Sequence, residues 1–511
     1  MSASQAPKRS DPAGSSPSPA RVADAELRQR LTLLTGASGY VGGRLLRRLE
    51  TSDRRVRCLA RRPEMLGDVV GAGTEVVEGD VLDPGSLRRA LRGVQTACYL
   101  VHSMGQGENF EELDHAAAVN FGATARAAGV SQIVYLGGLG GEHNLSPHLA
   151  SRHEVGELLR AHGVPTVELR ASIVIGSGSA SFETVRALVE RLPAIVVPPW
   201  SETLAQPIAI DDVIASLIAA LSFPRPVNAT YEIGGTDRLT YVELMREYAR
   251  QRGLHRGHLR APFVTPRFAQ SLLPALVPEH GRVAAAMVDS LRNETVVREH
   301  AAIGSAPRRS LGVPAAIAQA LAEEDHEFAG LRWSEALAAG RPRRFGGLAY
   351  GRRLVSSRAV RVAGRRSEDA FRLVERIGGN TGWYAANWFW SLRGFLDRLR
   401  GGAGLCRGRR DPERLRVGDS VDFWRVERVE PGSLLRLSAE MKMPGRLWLQ
   451  FELDGPGEAT WLRQTTIFDP AGYVGRAYWH LLYPLHRWVF GRMLRGISRA
   501  ACNELPAIRS T

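Results

Sequence analysis

Two groups of residues have the types and spacing that chemistry needs. The first is Thr35-Gly36-Ala37-Ser38-Gly39-Tyr40-Val41-Gly42, set between an apolar run, Leu31 to Leu34, and a helical pattern, Arg44 to Leu49. In a strand-turn-helix unit the first glycine permits the turn, the second lets backbone approach a pyrophosphate, the third allows close helix packing, and the helix start favours phosphate charge. Gly36, Ser38, Gly39, Tyr40, Val41 and Gly42 are therefore candidate dinucleotide contacts, the alternative being a glycine-rich turn without a ligand. The second group is His148 and Arg152, one turn apart on a helix that follows Pro147. An imidazole of ordinary pKa, about 6.5, could donate a proton near neutrality while Arg152 orients a ribose or a substrate. Alternatively, both residues, with His153, form a solvated helix start.

The elements that must position these residues follow in βα order. A second strand, Val56 to Ala60, ends about 20 residues after the glycines, where an acid usually takes the ribose hydroxyls of NAD. Arg61 and Arg62 stand there instead, and guanidinium groups suit the extra phosphate of NADP, so NADP(H) is favoured over NAD(H). Ordinary surface arginine is the alternative. Next come a strand Thr74 to Glu78 into Gly79-Asp80-Val81, a helix Ser86 to Leu91, a strand Thr96 to Val101 into His102, a helix Asn120 to Ala128, and a strand Gln132 to Leu136. Such repetition implies a doubly wound parallel sheet.

These motifs resemble the short-chain dehydrogenase/reductase superfamily, in particular its atypical, NmrA-like and epimerase-like members. The series continues through Leu169 to Gly176, Pro207 to Val213 and Tyr231 to Gly235 and covers roughly residues 30 to 260. The resemblance implies that Asp80 and Val81 face the adenine and that Val101 and His102 lie along the cofactor. Active members use a serine after the fifth strand and a Tyr-x-x-x-Lys pair, the lysine lowering the tyrosine pKa. Here that strand ends in Gly137-Gly138, and His148 and Arg152 align with the tyrosine and lysine. The only lysines in the chain are Lys8 and Lys442.

With 511 residues, 44% of them hydrophobic, the chain has room for two or three domains. Its net charge of +14 raises the question of nucleic acid or anionic membrane as partner. Nucleic acid is set aside, because the arginines are dispersed and no zinc-finger or RNP-type motif occurs. A peripheral membrane contact stays open. Cys58, Cys98, Cys406 and Cys502 form neither a redox pair nor a zinc cluster, so reduced thiols in a cytoplasmic protein are expected and no metal site is indicated. Residues 1–27 read as a disordered tail. The most apolar stretch, Tyr478 to Phe490, is too short to span a membrane and is interrupted by His486 and Arg487; a packed amphipathic helix is expected, with an interfacial one as the alternative.

The reductase-like region, residues 28–330, is expected to end in a helical cap, with Pro262, Phe263, Phe268, Leu272 and Met287 lining a pocket or simply filling a core. A linker spans 331–353. Eight of the ten tryptophans lie between Trp383 and Trp488, marking a second unit at 354–502, followed by a tail at 503–511. Its strands centre on Ser356 to Val362, Val421 to Val429, Leu434 to Met441, Leu447 to Leu453 and Thr460 to Phe468, with a long helix over Gly475 to Arg499. The runs Gly378 to Tyr384, Gly418 to Val426 and Phe468 to Gly472 resemble an uncharacterised domain, DUF2867, and the order resembles the helix-grip polyketide-cyclase and START-like superfamily. The fold class is thus α/β, a doubly wound Rossmann domain with a small cap, plus an α+β helix-grip domain. Trp424, Met441, Met443, Trp448, Phe451, Trp461, Phe468 and Trp479 line an apolar cavity or fill the core.

Three functions fit. The first is an NADP(H)-dependent oxidoreductase acting on a hydrophobic lipid-, polyketide- or quinone-like molecule held by or near the C-terminal domain. The others are a non-catalytic redox sensor or assembly factor, and an isomerase or lyase using bound cofactor. The oligomeric state is left open.

Overall fold

The computed structural model describes residues 30–504, apart from 53, 67–69, 104–108, 142–143, 277–280, 300–302, 304–309, 331–347, 351–352, 363–366, 380–381, 386–410, 412 and 455–460. The expected N-terminal tail, Cys406, most of the aromatic segment after Trp383, most of the linker and the last residues lie outside these. The chain divides into two compact units, one built mainly from residues up to Glu323 and the other mainly from Glu324 onward.

In the first unit the strands are β1 (Thr32–Thr35), β2 (Val56–Ala60), β3 (Glu75–Glu78), β4 (Thr96–Tyr99), β5 (Gln132–Gly138), β6 (Thr166–Ala171) and β7 (Ala229–Ile233). They form one parallel sheet in the order β7-β6-β5-β4-β1-β2-β3. The connecting helices are α1 (Tyr40–Glu50), α2 (Pro84–Ala90), α3 (Phe110–Ala127), α4 (Pro147–Ala161) and α5 (Ile210–Leu221). Alternation along β1 serves both layers: Leu33 packs with Leu87, Phe121 and Tyr135, whereas Leu34 packs with Leu45, Leu46 and Val213. Burial of each such leucine contributes about 2 kcal/mol.

Helix α3 starts ten residues before the expected Asn120, because its inward face is Asp114, Ala117 and Ala118, too small and polar to read as an apolar stripe. Helix α2 begins on Asp83, whose carboxylate accepts from the Gly85 and Ser86 amides, and this holds the acid below the usual range. After β7, helix α6 (Tyr241–Gln251) opens with a reciprocal cap: Thr240 N donates to Glu243 Oε2 at 2.7 Å and Glu243 N to Thr240 Oγ1 at 3.2 Å. Helix α7 (Pro266–Leu276) then packs against a 3-10 turn, Val288–Arg292.

The second unit is an antiparallel sheet backed by helices. Its strands are β8 (Leu348–Tyr350), β9 (Arg353–Arg361), β10 (Ser420–Val421), β11 (Trp424–Glu430), β12 (Leu434–Ala439), β13 (Gly445–Asp454) and β14 (Trp461–Pro470). Their order is β8-β9-β14-β13-β12-β11-β10. Strand β8 falls within the span read as linker, since Leu348, Ala349 and Tyr350 pair with Val355, Leu354 and Arg353. Helix α8 (Ser367–Glu375) and the long α9 (Gly472–Glu504) cover one face. Leu447, Leu449 and Phe451 of β13 point to that face and meet Trp479, Val489 and Met493 of α9.

Candidate functional site

The carboxyl ends of β1, β2, β3 and β4 gather the residues expected to hold a dinucleotide. Gly36 sits at φ +73°, a conformation that favours glycine, and a Cβ there would lie 2.8 Å from the Leu100 carbonyl oxygen. Thr35 fixes that approach by donating from Oγ1 to Cys98 O at 3.2 Å and accepting from Leu100 N at 3.1 Å. A Cβ on Gly42 would collide with the Gly36 carbonyl, so α1 meets the turn backbone to backbone. Gly39, at the cap position of α1, brings no side chain, and the first turn of the helix holds no acid. A helix start of this kind fits a pyrophosphate.

Arg61 and Arg62 follow β2, whose Leu59 pairs with Thr35. Both are exposed and make no ion pair among the described residues. Asp80 follows β3; its Oδ1 accepts from Leu82 N at 3.0 Å, and Ser86 Oγ ties both backbone groups of Asp80. Val81 turns into the core, which leaves only its backbone for a ligand. Val101 is half-buried after β4, and His102 beside it reaches solvent.

His148 and Arg152 of α4 come to the same end of the sheet as His102. They are not a solvated helix start. Arg152 lies over the Tyr135 ring at 4.9 Å, donates through Nη2 to Leu136 O, and leaves Nη1 buried with no hydrogen-bond partner among the described residues. His148 Nδ1 lies 3.1 Å from Ser290 Oγ, which lies 2.8 Å from Ser146 Oγ. His153, the third residue of the expected polar start, is buried with Nε2 3.1 Å from Gly138 O.

Electrostatics overturns one expectation. Desolvation, then the charges of Arg152 and His102, pull His148 down to about 3. His102 is crowded by protein although it reaches solvent, and desolvation followed by the Arg152 charge takes it down to about 4. Neither ring is protonated near neutrality, so His148 does not act there as an imidazolium acid; it is a neutral hydrogen-bonding group. Beneath them Asp114, buried on α3, accepts from Ser103 N at 2.8 Å, and burial raises its carboxyl.

Sequence reasoning missed Asp114, Ser290 and Tyr135. Asp114 carried a signal, a lone acid on the inward face of a helix; Ser290 carried none, because it is 142 residues from its partner. Of the expected cap residues, Phe263, Phe268 and Leu272 are exposed, so they do not fill a core.

In the second unit Trp424, Met441, Phe451, Phe468 and Trp479 belong to the core, and Met443 packs against it. Phe468 and Trp479 stack with centroids 5.3 Å apart. Trp448 points to the opposite face, where the guanidinium groups of Arg353, Arg436 and Arg446 lie 5.1–5.6 Å from its ring. Trp461 is exposed. These two therefore join no common apolar lining.

A family described as NAD(P)H-binding matches residues 36–174, and a protein of unknown function family, DUF2867, matches residues 348–493. The (4-alkanoyl-5-oxo-2,5-dihydrofuran-3-yl)methyl phosphate reductase of Streptomyces griseus subsp. griseus is 33% identical over 231 residues, 44% of this chain and 74% of that protein. The chain belongs to the atypical short-chain dehydrogenase/reductase family. This reductase-like protein carries a DUF2867 domain behind its NAD(P)H-binding domain. The ceramide reductase of Caulobacter vibrioides is 28% identical to it over 234 residues, 45% of this chain and 73% of that one. Among solved structures, the triphenylmethane reductase of a Citrobacter species, complexed with NADP(H), aligns at TM-score 0.46 and 22% identity over 57% of this chain and 99% of that one. No described helix of the family member is long and apolar enough to cross a membrane, and no described cluster of side chains could hold a metal ion.

Proposed function

We propose that this protein is an NADP(H)-dependent reductase of a hydrophobic carbonyl, conjugated alkene or quinone-like substrate. The observation that carries the reading is the buried Nη1 of Arg152, without a hydrogen-bond partner among the described residues, beside the neutral ring of His148. A positive guanidinium and a neutral imidazole together suit an oxygen on which negative charge develops. A bound reduced nicotinamide would supply the hydride. With the Ser290 hydroxyl as donor to His148 Nδ1, 3.1 Å away, the ring proton would sit on Nε2, from which it could hydrogen-bond the substrate oxygen. Arg152 stabilises the oxyanion, and water provides the proton that completes the alcohol or its equivalent.

Arg61 and Arg62, exposed at the end of β2, support NADP(H) over NAD(H). An apolar substrate is supported by Phe268 and Leu272, exposed on α7, the helix whose Gln270 donates at 2.8 Å to Asp289 in the turn that carries Ser290. Two relatives named as reductases, one of them for ceramide, support the reaction class.

The test is steady-state oxidation of NADPH and NADH against a panel of long-chain ketones, enones and quinones. Turnover with a preference for NADPH is expected. Tight NADPH binding with no turnover on any class would instead favour the non-catalytic redox sensor or assembly factor that the missing tyrosine and lysine permit.

A further inference from the structure

Helix α9 of the second unit has one face in the core and one in water. Trp479, Val489, Met493 and Ile497 anchor it to the sheet. The opposite stripe is occupied, in its first half, by Tyr473, Val474, Leu481 and Trp488, which are 53%, 71%, 80% and 40% exposed. In its second half the same stripe carries Arg492, Arg495 and Arg499, all exposed. At about 100° per residue these positions fall within a single sector about 100° wide. Solvent-facing leucine and tryptophan on an otherwise well-packed helix is a feature that calls for an apolar partner.

Charge identifies that partner. Between Gly472 and Asn503 the sequence contains no acidic residue, whereas Arg476 and Arg487 add to the three arginines of the stripe. The Arg492 guanidinium lies 4.7 Å from the Trp488 ring centroid, so the basic half and the apolar half meet at that pair. From these features we infer that α9 docks the protein on an anionic lipid bilayer, with Leu481 and Trp488 entering the headgroup-acyl boundary and Arg492, Arg495 and Arg499 on lipid phosphates. A second copy of this chain fits less well. Parallel pairing of two such helices sets arginine against arginine, and antiparallel pairing sets the arginines of each against the leucine and tryptophan of the other.

Each arginine near an anionic surface strengthens binding about fivefold. Full-length protein is sedimented with vesicles of phosphatidylcholine alone and of phosphatidylcholine mixed with phosphatidylglycerol, at low and high salt. Binding only to the mixed vesicles, weakened by salt and reduced at least tenfold in R492E/R495E, is expected. L481S, an exposed change, should weaken binding to the mixed vesicles at fixed charge, and an unchanged melting temperature of both variants shows that the fold is intact. Equal sedimentation with both vesicle types, or binding unaffected by either variant, would overturn the proposal. So would a lipid-free dimer in sedimentation velocity that L481S dissociates, because the stripe would then be covered by its own copy.

Discussion

His148 Nδ1 lies 3.1 Å from Ser290 Oγ, a contact that ties the start of α4 to a 3-10 turn 142 residues further along the chain. It fixes the ring, and Ser290 is held in turn by Ser146, whose Oγ lies 2.8 Å from its own. Replacing Ser290 by Ala removes a hydrogen bond worth about 1 kcal/mol. Turnover should then fall about fivefold, and NADPH affinity should hold. Replacing His148 by Gln should cost more. Unchanged turnover in H148Q would remove His148 from the chemistry.

The two depressed histidines also give the stability a pH signature. The folded chain keeps His148 neutral down to about 3 and His102 to about 4, whereas an unfolded histidine takes its proton near pH 6.5. Below about pH 6.5 the unfolded state therefore binds more protons, and stability falls as pH drops toward those folded values. Asp114, raised by burial, works in the opposite sense at the acid end. Urea midpoints measured from pH 7 to pH 4 should decline, with a smaller decline in H148Q. Equal slopes for the two proteins would show that His148 is not desolvated.

A Cβ on Gly42 meets the Gly36 carbonyl, so Gly42→Ala pushes α1 off the turn. Overpacking of this kind costs about 1–3 kcal/mol. The melting temperature should fall, and NADPH binding, read by its fluorescence, should fall further than stability alone accounts for, because the phosphate cradle is displaced.

Arg61 and Arg62 act through the charge of one phosphate. A charge-assisted hydrogen bond contributes about 1.5–3 kcal/mol, so R61A/R62A should lower the preference for NADPH over NADH by about tenfold or more. A preference that survives both changes would place the phosphate elsewhere.

Glu168 is fully buried on β6, with Arg160 Nη1 at 2.5 Å and Arg170 Nε at 2.9 Å. Glu168→Gln leaves two guanidinium groups without their counter-charge and should destabilise the domain by about 3 kcal/mol, read as a lower urea midpoint with an unchanged slope. By contrast Cys58 and Cys98, free and buried, have thiols pushed up to about 12 by desolvation. Neither should react with iodoacetamide until the protein unfolds, and peptide mapping of the native protein checks this.

The sequence by itself determined the parallel sheet and its glycine turn, because the spacing of Gly36, Gly39 and Gly42 and the period of the flanking strands are local properties. It also indicated the antiparallel second unit, through turns such as Pro444-Gly445, and the opposed faces of Leu449 and Gln450. It pointed to His148 and Arg152 by their departure from an expected pair. Only the tertiary structure decided what those two residues are. The desolvation of His148, the burial of Arg152 Nη1 and the part played by Ser290 arise from segments far apart in sequence. The same holds for α9, whose sequence favours a packed amphipathic helix and leaves an interfacial one as the alternative. Packing alone put Trp479 inside and left Leu481 and Trp488 in solvent. Burial and pKa are sums over neighbours in space, and a one-dimensional pattern does not contain those sums.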